Sequence, residues 1–162
     1  MVDIIAVPIA FPEDANIIIG QAHFIKTVED IYEIMVTAVP GVAFGIAFNE
    51  ASGPCLIRAE GNDEGLIQCA VENCRALAAG HVFVIVMKNA YPINVLNAVK
   101  QCQEVCTIFC ATANPVEAVI ARSEQGCGVL GVIDGFSPKG VEISKDRDNR
   151  QVLLRKIIGY KK

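Results

Sequence analysis

The sequence predicts one α/β domain, a mixed β-sheet flanked by helices, and three observations carry that expectation. Strand-sized apolar runs alternate with segments of helical period, and no linker interrupts them. The chain has 162 residues, 52% of them hydrophobic and 20% charged, which is enough to bury one substantial core. A single domain over residues 1–162 is therefore expected.

The elements follow in order. Residues 3 to 10 and 16 to 20 read as the first two strands. Thr27 offers an N-cap with Asp30 three positions on, and Val28, Ile31, Ile34, Met35 and Ala38 form an apolar face. A helix of about three turns from Val28 to Ala38 is expected before Pro40-Gly41 stops it. VAFGIAFN and PCLIRAE read as strands around the turn EASG. Asn62 or Asp63 caps a second helix that turns Leu66, Ile67, Ala70, Val71, Cys74, Leu77 and Ala78 inward, and Gly80 is its expected stop. HVFVIVM is apolar almost throughout and belongs at the centre of the sheet. INVLNAVKQ reads as a short helix, CTIFCATA and VEAVIARS as strands parted by Asn114-Pro115, GVLGVIDG as the last strand and RDNRQVLLRKI as a charged closing helix.

Composition excludes several functional classes. With 14 basic against 18 acidic side chains the formal charge is −4, so no nucleic-acid or anionic-membrane partner is expected. Apolar runs such as VFVIVM fall far short of the roughly 20 residues that cross a bilayer. The first residues, MVDIIAVPIAFPED, show neither a basic leader nor a cleavage site, and a cytoplasmic location is expected. Seven cysteines, an odd number with no CxxC pair, read as reduced and buried, Cys55, Cys69, Cys74, Cys106 and Cys110 among them. Cys102, Cys106 and Cys110 step by four, but VCTIFCATA has strand composition and no histidine lies nearby, so no zinc site is expected there.

Chemistry is then left to the loops. EQGCGVLG precedes a strand, where a dinucleotide fingerprint must follow one, and reads as a hairpin turn. Neither GxxxxGK[ST] nor GxSxG occurs, which removes a P-loop mechanism and weakens a serine hydrolase. Five polar interruptions remain beside strands: GQAHFIKT, FNEASGP, AGHVF, ATANPVE and DGFSPKG. Each alone is an ordinary turn, and a single histidine beside a strand is more often a packed residue than a reactive one. Their recurrence points to a site.

IIIGQAHFIKTVEDIYE, VPGVAFGIAFNEASGPCLIR, AAGHVFVIV, YPINVLNAVK, VCTIFCATANPVEAVIA, GVLGVIDGFSPKGVE and LLRKIIGYKK, taken together, resemble the adenosine-specific kinases, a small archaeal and bacterial family. The resemblance runs from about residue 3 to the C-terminus. It implies phosphoryl transfer to adenosine, or binding of it, and a histidine that can be phosphorylated. Neutral imidazole is nucleophilic, so either of the two histidines suits that chemistry. His81, between Gly80 and the central strand, is favoured as the carrier, since open α/β sheets place ligands at strand ends. His23, just ahead of a helix, is the expected orienting or acid/base residue. Gln21, Lys26, Ser52, Ser137 and Lys139 are candidates for phosphate or nucleoside, and Asn94 or Asn114 for the adenine edge. ATP is the expected donor; Mg²⁺ takes oxygen ligands, for which Glu50 and Asp134 are the candidate carboxylates. The alternative is an adenine-nucleotide sensor with little turnover. A mean hydropathy of +0.41 in so short a chain predicts a homo-oligomer, such as a trimer.

Overall fold

The computed structural model describes residues 1–162 as one α/β domain. Eight strands, β1 (Asp3–Ile9), β2 (Asn16–Ala22), β3 (Ala43–Asn49), β4 (Ile57–Gly61), β5 (Val82–Lys88), β6 (Val105–Thr112), β7 (Val116–Arg122) and β8 (Cys127–Asp134), alternate with four α-helices. The helices are α1 (Thr27–Ala38), α2 (Glu64–Leu77), α3 (Pro92–Gln101) and α4 (Ser144–Val152), the last running into a π-helical turn, Leu153–Ile157.

The central strand is β5, as its composition requires. Val82, Val84 and Val86 point to one side and Phe83, Ile85 and Met87 to the other, all at most 2% exposed. It pairs antiparallel with β2 and β3, giving the order β4-β3-β5-β2-β6. Helix α1 contributes Val28, Ile31 and Met35, and α3 Val95 and Val99, to the core on the Phe83 side. Helix α2 covers the Val84 side with Leu66, Ala70, Cys74 and Leu77.

The strands divide into two antiparallel sheets where one mixed sheet was expected, the second being β1-β7-β8. The reason is nonlocal pairing. Both edges of β2 are already taken by β5 and β6; β6 ends at Thr112, and the turn through Asn114-Pro115 sends the chain into another layer. One face of the small sheet, with Ile9, Val116, Ala118 and Ile120, closes the same core as α2.

Two helix ends differ from expectation. Thr27 lies inside α1, fully buried, and its hydroxyl donates to the Phe24 carbonyl at 2.5 Å, while residues 23–26 form a tight turn ahead of the helix. Helix α2 stops at Ala78, which takes the left-handed conformation (φ 49°), two residues before Gly80. Its N-cap is Asp63, which accepts from the Leu66 N–H; Asn62 instead bridges Phe44 and Val42 of the neighbouring strand. Cys74 and Cys110 are buried as expected, whereas Cys55 and Cys106 are exposed, because the β3–β4 loop and the open side of β6 leave them uncovered; all seven cysteines are free.

Gly45 sets how closely α2 approaches β3. A Cβ there would stand 2.2 Å from the Ile67 backbone nitrogen. Gly45→Ala is expected to lower stability by about 3 kcal/mol, since backbone must move rather than a side-chain tip. Gly128→Ala, with nothing within 4 Å, should stay within about 0.5 kcal/mol of wild type by urea denaturation.

Candidate functional site

Antiparallel pairing brings distant loops to one end of the five-stranded sheet. The end of β2, the start of β5, the end of β3 and the start of β6 meet there: the Ala22 N–H donates to the His81 carbonyl at 2.9 Å, His81 N–H to the Asn49 carbonyl at 2.7 Å, and His23 N–H to the Glu104 carbonyl at 3.0 Å. Ala22 thus stands opposite His81 on the adjacent strand, and His23 follows one position beyond it.

His81 has an unusual backbone. Its φ is +64°, a region that few residues other than glycine occupy, and at a cost of about 1–3 kcal/mol. Its half-buried ring lies parallel to Phe48, with centroids 5.8 Å apart and planes 12° from each other. Phe48 pairs across the sheet with Phe83 on one side and Arg58 on the other, so the imidazole, both phenyl rings and the Arg58 guanidinium share the face covered by α1. Arg58 donates Nε and Nη2 to Glu50 Oε2 at 2.9 and 2.5 Å. Sequence reading assigned Arg58 no role, because nothing local marks a strand arginine as the cross-strand neighbour of Phe48.

The turn ahead of α1 supplies further donors. The N–H groups of Phe24, Ile25 and Lys26 have no acceptor within the protein. Lys26 Nζ is engaged, at 2.9 Å from Glu104 Oε1 and 3.0 Å from Asp30 Oδ2. Glu104 is 3% exposed and also accepts from the Cys102 thiol at 2.8 Å. Burial alone would raise its carboxyl, but hydrogen bonds from Cys102 and Lys26 outweigh that and hold it at about 2. The same neighbours, with hydrogen bonding from Glu104 first and from Asp30 second, push the Lys26 ammonium up.

The remaining candidates disperse. Gln21 lies in β2 and alternates onto the α2 face, away from the imidazole ring; Ser52 is exposed in the β3–β4 loop, its carbonyl accepting from Cys55. Asn94 caps α3, accepting the Tyr91 N–H at 2.9 Å, at the far end of β5. Asn114 and Thr112 both donate to Asp134 Oδ1, at 3.1 and 2.9 Å, also at the far end, and Ser137 and Lys139 are exposed in the loop beyond. A sheet length of roughly 17–20 Å separates this group from His81.

The carboxylates do not fit a resident Mg²⁺. Glu50 is held by Arg58, and Asp134 lies at the other end of the sheet. Asp30, Cys102 and Glu104 bring their ligand atoms within 4.8 Å, but the Lys26 ammonium already sits between the two carboxylates. Burial, then the Glu104 hydrogen bond, pushes the Cys102 thiol up to about 11, which opposes thiolate ligation. The largest cleft, about 670 Å³ between the sheets, touches Ala51, Gly80 and Cys127 but is lined by no histidine, lysine or arginine.

A half-buried imidazole, a guanidinium paired with Glu50 and three open amide groups thus gather toward one end of the five-stranded sheet. The sequence profile of the family described as adenosine specific kinase matches residues 7–161, and the chain belongs to that family. The crystal structure of the PH1918 protein from Pyrococcus horikoshii OT3 is similar throughout, with 46% identity and a TM-score of 0.95 over 100% of this chain and 99% of that one. No curated protein matches. No helix is long and apolar enough to cross a membrane.

Glu104→Gln tests the Lys26 cluster. It should cost about 1.5–3 kcal/mol at pH 7, the usual value of a hydrogen bond to a charged group. Because the folded-state carboxyl sits below its ordinary 4.5, its contribution is present above pH 4.5 and is lost as pH falls through about 2. Melting curves of wild type and variant should therefore converge between pH 4.5 and 2.

Proposed function

We propose that this protein transfers a phosphoryl group to or from adenosine, with His81 as the covalent carrier. The observation that carries the reading is the geometry of His81: a reactive side chain in a left-handed backbone, laid on Phe48 at a strand end. Strain of that kind gathers where function demands it. Family membership supports adenosine as the nucleoside and a nucleotide such as ATP as donor.

A neutral ring nitrogen of His81 attacks the γ-phosphorus; the P–N bond forms as the bond to the β-phosphate oxygen breaks, and ADP leaves with that electron pair. An adenosine hydroxyl then attacks the same phosphorus, breaks the P–N bond and gives up its proton. His23, on the neighbouring strand end, is the proposed acid/base or orienting residue. The transferred oxygens meet the amides of Phe24, Ile25 and Lys26 and the Arg58 fork. Lys26 acts through Glu104, fixing the turn that presents those amides. Mg²⁺ is expected to arrive coordinated by nucleotide phosphates, its usual ligands in kinases.

The test is labelling with γ-labelled ATP. His81→Ala should abolish acid-labile, base-stable label, and His23→Ala should slow labelling by roughly 10²- to 10⁴-fold without abolishing it. Label undiminished in His81→Ala overturns the assignment. Adenosine should raise the melting temperature while guanosine does not. Turnover beyond one phosphate per chain separates a kinase from a sensor.

Assembly is proposed from the outer face of the small sheet, where Ile4, Leu130 and Ile133 are at least half exposed beside Phe136. An apolar face of this extent fits a second copy of the chain. Light scattering should give at least twice 17.4 kDa at micromolar concentration.

A further inference from the structure

We infer that Asn49 is a positioning residue for His81, its amide holding the turn that keeps the imidazole against Phe48. Asn49, buried at 7% exposure, ends β3. Its Nδ2 donates one proton to the Cys74 carbonyl at 2.8 Å and the other to the Ala79 carbonyl at 3.0 Å, while its own carbonyl accepts the His81 N–H at 2.7 Å. One residue thus grips the last turn of α2, the middle of the following turn and the reactive residue.

That turn needs gripping. Ala78 and His81 both have positive φ, at 49° and 64°, and each costs about 1–3 kcal/mol relative to ordinary backbone. Gly80 between them fits because a Cβ would stand 2.9 Å from the Ala51 Cβ. A residue released from φ +64° to extended backbone swings its Cα–Cβ bond, which takes the ring off Phe48. Only a side chain with two protons on one nitrogen satisfies both carbonyls. Aspartate has the same shape and no donor when ionised, serine has one, and alanine has none.

The inference rests on the proposed role of His81, but its readout does not. Nuclear Overhauser contacts between the His81 and Phe48 rings report position whether or not phosphate is carried. In Asn49→Asp and Asn49→Ser those contacts should weaken or vanish, with contacts in the distant α1–α3 core kept. The labelling rate per folded molecule should fall by roughly 10- to 100-fold with KM for ATP unchanged, since misplacement alone carries such a factor. Asn49→Ser, with one donor left, should lie between wild type and Asn49→Asp. Retained ring contacts and a wild-type rate per folded molecule in both variants, even with lower melting temperatures, would show that Asn49 serves stability alone and overturn the inference. Label persisting in His81→Ala would sink the carrier assignment while leaving the ring-contact result to stand.

Discussion

Burial of β5 on both faces is the constraint on which the rest depends. A strand with no polar side chain from Val82 to Met87 must be paired on both edges and covered on both sides. That requirement places β2 and β3 beside it, α1 and α3 over one face, and α2 with the small sheet over the other. It also decides where polar side chains can stand on that strand. The buried run is bounded by His81 before it and Lys88 after it, both half-buried polar residues. Antiparallel neighbours then deliver Ala22-His23 and Asn49-Glu50 to the His81 end without any sequence signal linking them.

Electrostatics at that end divides into two arrangements of different purpose. Glu104 is almost wholly buried and is bonded on both oxygens, by Lys26 and by Cys102, and its main chain receives His23. A buried carboxylate so held acts as a fixed post, because loss of Lys26 would leave its charge uncompensated and loss of the Cys102 thiol would leave an oxygen unsatisfied. Arg58 and Glu50 are partly exposed and held to each other through a single carboxylate oxygen. A guanidinium fork of this kind is also the shape that matches phosphate oxygens.

Much of the fold was legible because it rests on local period. The helical face of Val28, Ile31 and Met35, the apolar run of β5 and the Asp63 cap are all short-range signals, and each element lies within a few residues of its expected place. The division into two sheets was not legible, since it depends on which edges of β2 are taken, a pairing between residues as far apart as Ile17 and Thr112. The candidate site followed the same pattern. His23 and His81 stood out as the only histidines, each beside a glycine and a strand. Asn94, Asn114 and Asp134 looked similar, yet they cap a helix and close a turn at the opposite end. Glu104, Arg58 and Asn49 escaped notice because a buried or cross-strand role leaves no mark in neighbouring residues.

The left-handed backbone of His81 has an evolutionary and practical meaning of its own. Glycine would occupy φ +64° without strain, so the protein keeps an imidazole at a position where the most comfortable occupant has no side chain. Side-chain chemistry and backbone comfort are therefore opposed at a single Cα: glycine there would relieve the strain and would remove the imidazole that lies on Phe48.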